Sequence, residues 1–490
     1  MQSLRLLSCK NRVFGPAFYK VTTFTSLLPT VLDKTRDGAI TKPEIFRKIS
    51  SSVSLAKKYA WEYFWQPGSG YYGKSWGETG RAIINNWDDF ILSQIDTVPV
   101  PSPNGVFTIG DYGTCDGFAS VQLIHKIISH LRSKHGPDLN IQVLYEDQET
   151  NDFNSLFKTI YEDKASFLWK FDKVFILACG TEFYKQCVPE NTCDVIICSL
   201  ALQWLSDEHH VFVECIHSFG RCSESIFPWC TNSEKELEDY LEVCRQDWQQ
   251  FLLHRAAELK PGGVLFVTHP AFDSPHKAAS EIFSIPESQT GFLPGCLQDI
   301  LLTYDLSWKE LYKEGAITTE EFQACTLRVA NRNFPDLVEP FEKATDSPVR
   351  QARLTLLTEP VPAIIPCSSK QRWRQRLETG LYTFNVIDHS VGATGNEIFL
   401  LETLVIIGFV LFLTDGYDDR VYFADLITRG TRVWSETAFR SSLLDTRTAD
   451  EHSAIIERLY EIFARMVSVS NPETLRSEMV MWLLAAQKMS

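Results

Sequence analysis

Asp111-Tyr112-Gly113-Thr114-Cys115-Asp116-Gly117 follows an apolar run, Val106-Phe107-Thr108-Ile109, and leads into a helix-spaced pattern from Phe118 to Ile128. A strand, a tight glycine turn and a helix in that order open a nucleotide-binding α/β domain. Two glycines let the backbone pass close under a ligand where a Cβ would clash, and the helix start presents free N–H groups. The acids decide what such a loop holds. Asp111 and Asp116 would repel a pyrophosphate and suit a ligand carrying ammonium, sulfonium and ribose hydroxyls, which describes S-adenosylmethionine.

Outward from this loop, short β-branched runs alternate with longer amphipathic ones, the pattern of a parallel sheet covered by helices on both faces. Further strands are expected at 141–145, ending at Glu146-Asp147, and at 174–178, 194–198 and 263–268. Leu237 to Leu259 is helical in spacing, with Lys260-Pro261-Gly262-Gly263 as its stop. Such a doubly wound sheet binds ligands outside the carboxyl ends of its strands. After Pro270 the spacing from Ile282 to Leu401 becomes mainly helical, punctuated by Pro335, Pro340 and the P-V-P-A-I-I-P stretch at 360–366, and reads as a cap. A helix at 449–464 and a strand at 479–486 close the chain. The division expected is an N-terminal extension (1–50), an α/β core (51–275), a helical cap (276–400) and a closing part (401–490).

With 490 residues the chain is long enough for one large core or two smaller ones, and its net charge of −15 with no basic block argues against nucleic-acid or anionic-membrane partners. A small-molecule substrate is the expectation. The 13 cysteines include no C-x-x-C pair, which points to a reducing compartment and no zinc site. A cytoplasmic location follows, with mitochondrial import as the alternative, because the first 32 residues carry Arg5, Lys10, Arg12 and Lys20 with no acid before Asp33. The apolar run Thr403 to Thr414 is too short to span a bilayer.

Asp147 stands at the end of the second strand, 30 residues past Gly117, where an acid can accept hydrogen bonds from both hydroxyls of a ribose. A nicotinamide dehydrogenase is the rival reading of Gly110, Gly113 and Gly117, but its G-x-G-x-x-G fingerprint is displaced here and the loop is acidic.

The segments D-Y-G-T-C-D-G (111–117), N-D-F-N-S-L-F (151–157), E-F-Y-K-Q-C-V-P (182–189), S-L-A-L-Q-W-L-S (199–206) and D-W-Q-Q-F-L-L-H-R-A-A-E-L-K-P-G-G (247–263) occur in order and at characteristic spacing. Together they resemble the SABATH family, named for salicylic acid, benzoic acid and theobromine, whose members methylate small-molecule carboxylates, and sometimes ring nitrogens, from S-adenosylmethionine. The resemblance covers about residues 55 to 340. It implies a class I methyltransferase fold, a Rossmann-like doubly wound sheet with a largely helical cap, and a dimerising habit. By the same resemblance Asp111, Gly113, Asp116 and Gly117 form the cofactor loop, Asp147 holds the ribose, Gln148 lies near the adenine, and Phe183 packs on it, with Glu182 where the family has serine. Tyr71 and Ser75 would close over the cofactor. Trp204 matches the tryptophan whose indole donates to the substrate carboxylate, and Gln203 is its neighbour.

Glu78 stands where the family carries a glutamine that donates to that carboxylate. Two carboxylates at close range cannot both stay ionised cheaply, so Glu78 would be protonated, or would bind an amine, ring N–H or hydroxyl and serve as its base. Ala119 replaces an asparagine after the loop. These departures leave open an N- or hydroxyl-directed enzyme, or a fold that binds without turnover. Methyl transfer to a carboxylate needs no catalytic side chain and no metal, and no such constellation is expected. His125 and His269 are expected to be structural.

Overall fold

In the computed structural model the run that opens the reading is strand β1, Val106–Tyr112, and the remaining parallel strands are β2 Asn140–Asp147, β3 Val174–Gly180, β4 Cys193–Ser199 and β5 Leu259–Pro270. The structure describes residues 69–102, 105–206, 225–227, 234–270, 298–342 except 326, 328, 331 and 333, 346–379 and 419–490. These fall within one unit of the chain, 64–386 with 417–490. The N-terminal extension, the aromatic run at 59–65 and the apolar run at 403–414 lie outside the described residues.

With β6 at Leu354–Leu356, β7 at Val361–Ile365 and β8 at Met479–Lys488, the sheet order is β3-β2-β1-β4-β5-β8-β6, and β7 pairs with the same strand β8. From β1 the chain steps outward to β2 and β3, then crosses back to β4 and β5, which makes β1/β4 the switch point of a doubly wound sheet. Strand β8, Met479–Lys488, runs antiparallel beside β5, with Leu265 opposite Ala486. β4 is apolar from Val195 to Cys198 because it is buried on both faces, whereas β3 at the edge exposes Phe175 and Leu177.

Helices cover the sheet where their apolar stripes dictate. Helix α1 is Glu78–Asn85, continuous with a π-helical turn at Gly73–Gly77, α2 is Asp88–Ile95, and α3 is Val121–His135. α3 buries Leu123, Ile124, Ile127, Ile128 and Leu131 at spacings of one face. α4, Phe153–Glu162, is capped by Asp152, whose side chain accepts from the Ser155 N–H. The long α5, Glu234–Glu258, buries Cys244, Trp248, Phe251 and Leu252. Its expected glycine stop is instead the start of β5: the helix ends at Glu258, and a register shift against β4 absorbs Lys260-Pro261-Gly262-Gly263 into the strand.

The cap region departs from the expectation of few strands. β6 is Leu354–Leu356, and β7, Val361–Ile365, is the P-V-P-A-I-I-P stretch read as punctuation. Pro362 is tolerated because, among the described residues, β7 pairs only with β8 and forms an edge. Helices α6 Gln298–Lys313, α7 Thr319–Ala324, α8 Ser368–Thr379, α9 Asp419–Arg440 and α10 Ala449–Val469 gather around a second core. Tyr304 and Trp308 of α6 meet Phe439 of α9 and Phe463 of α10 there. The helical layer thus draws on the C-terminal part of the chain as well as on the cap.

Candidate functional site

Asp111, Asp147 and Ser199 end adjacent strands on one edge of the sheet, with Asp111 paired to Tyr145 and Ile197 and Asp147 to Gly180. The loop after β1 is built from its own acids. Asp111 is buried and accepts from Thr114 Oγ1 at 2.8 Å and Ser120 Oγ at 2.6 Å. Burial pushes its carboxyl up to about 6, against the pull of those two hydrogen bonds. Asp116, also raised by burial, accepts the Gly73 N–H at 2.6 Å and the Phe118 N–H at 3.2 Å, so it ties the π-helical turn to the loop. Asp111, Asp116 and Gly117 therefore shape the loop from beneath, and none of the three lines the adjoining cavity.

Gly113 does line it. Its φ is +73°, and a Cβ there would stand 2.3 Å from Ala201 Cβ, so any other residue would be strained and would clash. Its N–H donates to the Glu146 backbone oxygen at 2.9 Å. Asp147 faces the same space. Its Oδ2 accepts the Cys115 N–H at 2.6 Å and its Oδ1 the Gln148 N–H at 2.8 Å. A carboxylate has about four acceptor directions, so two remain. Burial raises this carboxyl above its ordinary range.

The cavity has a volume of about 250 Å³ and also takes in Tyr72, Trp76, Gln148, Phe183, Gln203 and Trp204. Phe183 is positioned by Phe251, edge-on at 6.1 Å, and by the buried pair Arg255–Glu258 beneath it. Arg255 donates to the Phe183 and Lys185 carbonyls at 2.7 and 2.9 Å, and to Glu258 at 2.7 Å. Glu258 in turn accepts the Tyr112 hydroxyl and the Cys187 N–H. The loop bearing Phe183 is thus fixed from below by charge-assisted bonds. Glu182 does not line the cavity, and its carboxylate stands 3.8 Å from Lys185.

Trp204 enters through the loop after β4. Its backbone bridges to Val329, its carbonyl accepts the Tyr184 hydroxyl at 2.7 Å, and the Gln203 carbonyl accepts the Ala330 N–H at 2.6 Å. The Gln203 amide donates to the Leu200 carbonyl at 2.7 Å, and its Oε1 is buried without a partner among the described residues.

The N-terminal segment meets the cavity through side chains other than those expected. Tyr71 and Ser75 do not line the cavity. The Tyr71 phenol is buried, which raises its pKa, among Ser75, Arg432 and Glu436. Their neighbours Tyr72 and Trp76 form the wall instead, and Tyr72 lies close enough to Asp116 and Asp147 for their charges to add to the effect of burial on its hydroxyl. Glu78 is likewise not in the cavity: its side chain is 55% exposed and sits 3.8 Å from Arg81. Arg81 itself is largely buried, donating to the Phe118 carbonyl at 2.8 Å and to Asp163 at 2.6 Å, so it is held against the loop after β1 while Glu78 stays at the surface. Sequence reasoning also missed Trp434, Leu301 and Met479, which reach the cavity from remote parts of the chain.

The two histidines are structural. His125 Nδ1 bonds the Ala165 carbonyl at 3.0 Å, and buried His269, held to about 3 by burial and by Arg332, is neutral. Among the described residues no cluster of His, Cys, Asp and Glu could hold a metal, and no helix is long and apolar enough to cross a membrane.

Residues 70–343 match a family model described as SAM-dependent carboxyl methyltransferase. Gibberellic acid methyltransferase 1 of Arabidopsis thaliana is 25% identical over 46% of this chain and 56% of its own length. Salicylate carboxymethyltransferase of Clarkia breweri is 29% identical over 42% and 58%, and loganic acid O-methyltransferase of Catharanthus roseus 25% identical over 50% and 60%. The chain therefore spans a little over half the length of these curated relatives. A solved structure, "Loganic acid methyltransferase with SAH", aligns over 86% of this chain and 97% of that one with a TM-score of 0.57 and 15% identity, a likeness of fold.

Proposed function

The chain belongs to the S-adenosylmethionine-dependent carboxyl methyltransferases, and from that premise we propose that it transfers a methyl group to the carboxylate of a small molecule, giving a methyl ester. One observation carries the reading: a single cavity at the carboxyl edge of the sheet joins Gly113, Asp147 and Phe183 to Gln203 and Trp204. The cradle at Gly113, which a Cβ would fill, and the two acceptor directions left on Asp147 fit a nucleoside ligand. S-adenosylmethionine, when bound, supplies a methyl group activated on a sulfonium sulfur.

The residues of the chain would do the rest by position. Asp147 would accept from the ribose hydroxyls, Phe183 would pack on the adenine, and Gln148 would lie at its edge. Tyr72 and Trp76, in place of Tyr71 and Ser75, would wall the site on the N-terminal side. Trp204 would donate its indole N–H to the substrate carboxylate, with Gln203 beside it. A carboxylate is already ionised at neutral pH and needs no base. Holding it on axis in a water-poor cavity can supply ~7–11 kcal/mol of the barrier lowering. An amine-directed reaction loses its support, because the carboxylate that favoured it, Glu78, faces solvent.

Calorimetric titration with S-adenosylmethionine and S-adenosylhomocysteine, with NAD as control, tests this reading. Micromolar binding of both sulfur compounds and none of NAD is expected; NAD binding without either sulfur compound would overturn it. The homodimer expected from the resemblance is tested by sedimentation, the cytoplasmic location by imaging a tagged chain, and the division at 50, 275 and 400 by limited proteolysis.

A further inference from the structure

Among the described residues that line the cavity there is no lysine, arginine or histidine, so what these residues offer an anionic head group is neutral donors. The neutral side-chain donors there include Tyr72, Trp76, Gln148, Trp204 and Trp434. The Gln203 amide already donates to Leu200, and the side chain at position 78 points to solvent.

Trp434 of α9 meets the need. It lines the cavity, and its Nε1 is buried with no hydrogen-bond partner among the described residues. A buried donor left unpaired is costly, and one at a cavity wall is completed when a ligand supplies the acceptor. The ring is fixed in place. It stands edge-on to Tyr304 at 5.7 Å, and the Tyr304 hydroxyl is held by Thr431 at 2.6 Å and Ser435 at 3.0 Å, from the same helix as Trp434. One turn earlier, Gly430 presses α9 against the opposite wall residue: a Cβ there would lie 3.5 Å from the Trp76 ring. Residues four apart share a helix face, so α9 presents Gly430 and Trp434 to the same space.

We propose that the Trp434 indole N–H donates to the substrate carboxylate, sharing the anion with Trp204 and supplying the second donor that position 78 does not. Trp434 lies beyond the 70–343 stretch matched by the family model. The proposal rests on the methyltransferase reading of the cavity. It commits the substrate to an acid whose carboxylate is bound by two indoles rather than by a cation, so the matching methyl ester and amide bind poorly.

Nitrogen-15 tryptophan labelling of the full chain, saturated with S-adenosylhomocysteine, tests this. Trp204→Phe and Trp434→Phe assign the two indole resonances, and benzoate, salicylate and decanoate are titrated beside their methyl esters. The acids are expected to move both resonances downfield and the esters neither. Trp434→Phe should weaken acid binding about tenfold, the loss of one hydrogen bond to a charged group, while leaving S-adenosylhomocysteine affinity unchanged, and Trp434→His, which keeps a ring N–H, should restore it in part. Acids that move Trp204 alone, acids that move neither, or an unchanged acid affinity in Trp434→Phe overturn the proposal. Failure of the unmodified chain to bind S-adenosylhomocysteine overturns the underlying reading instead.

Discussion

Asp147→Asn separates the structural and ligand-binding work of one carboxylate. In the wild type Oδ2 accepts the Cys115 N–H at 2.6 Å and Oδ1 the Gln148 N–H at 2.8 Å, leaving one acceptor direction on each oxygen facing the cavity. An asparagine keeps one oxygen, so one backbone N–H and one ribose hydroxyl lose their acceptor. A hydrogen bond to a charged group contributes about 1.5–3 kcal/mol, which predicts S-adenosylhomocysteine binding weaker by roughly 10- to 150-fold. The orphaned N–H should lower stability by a further ~1–3 kcal/mol. Burial raises the Asp147 pKa, so wild-type affinity should fall as pH drops through that raised value, while the variant's should stay flat. Calorimetry across pH 5 to 8 with urea unfolding alongside measures both effects. An affinity within threefold of wild type in a folded variant would refute the placement of the ribose at Asp147.

The same reasoning reaches other residues. Asp111, raised by burial from 3.8 to about 6, binds a proton more readily folded than unfolded, so its contribution to stability is greatest below pH 4 and is lost as pH rises toward 6. At 1.36 kcal/mol per pKa unit the loss is roughly 3 kcal/mol, and Asp111→Asn should flatten the pH dependence of urea unfolding between pH 4 and 7. Arg255→Met leaves Glu258 buried without its ion-pair partner beneath Phe183; a cost of about 3–5 kcal/mol in unfolding free energy and weaker S-adenosylhomocysteine binding are expected. Glu78→Gln, by contrast, should change the KM of any methylated acid by less than about twofold, because the exposed side chain stands outside the cavity.

The strands were legible where burial on both faces forces long apolar runs. β1, β2, β4 and β5 announce themselves, and β8 follows from its apolar spacing near the end of the chain. β7 was hidden because a strand containing Pro362 reads as a break, and only its edge position makes that proline acceptable. The glycine loop and Asp147 were readable from local chemistry, since a positive-φ turn and an acid at a strand end are local signals. The wall formed by Tyr72 and Trp76 was not. Tyr72 and Trp76 are four apart, as Tyr71 and Ser75 are, and which pair faces the cavity is set by how the segment packs on the loop after β1 through Gly73 and Asp116, not by spacing. Trp434 carried no local sign at all, because its role arises from α9 packing against Trp76 and Tyr304, which are far from it in sequence.

Transfer of a labelled methyl group is the most direct measure of the central claim. The chain is incubated with methyl-labelled S-adenosylmethionine and a panel of aromatic, terpenoid and fatty acids, and the products are treated with mild base. Label released as methanol from at least one acid, and lost in Asp147→Asn, is the predicted result. Label that stays bound through base treatment, or no transfer to any acid by a chain that binds S-adenosylhomocysteine, would contradict carboxyl methylation.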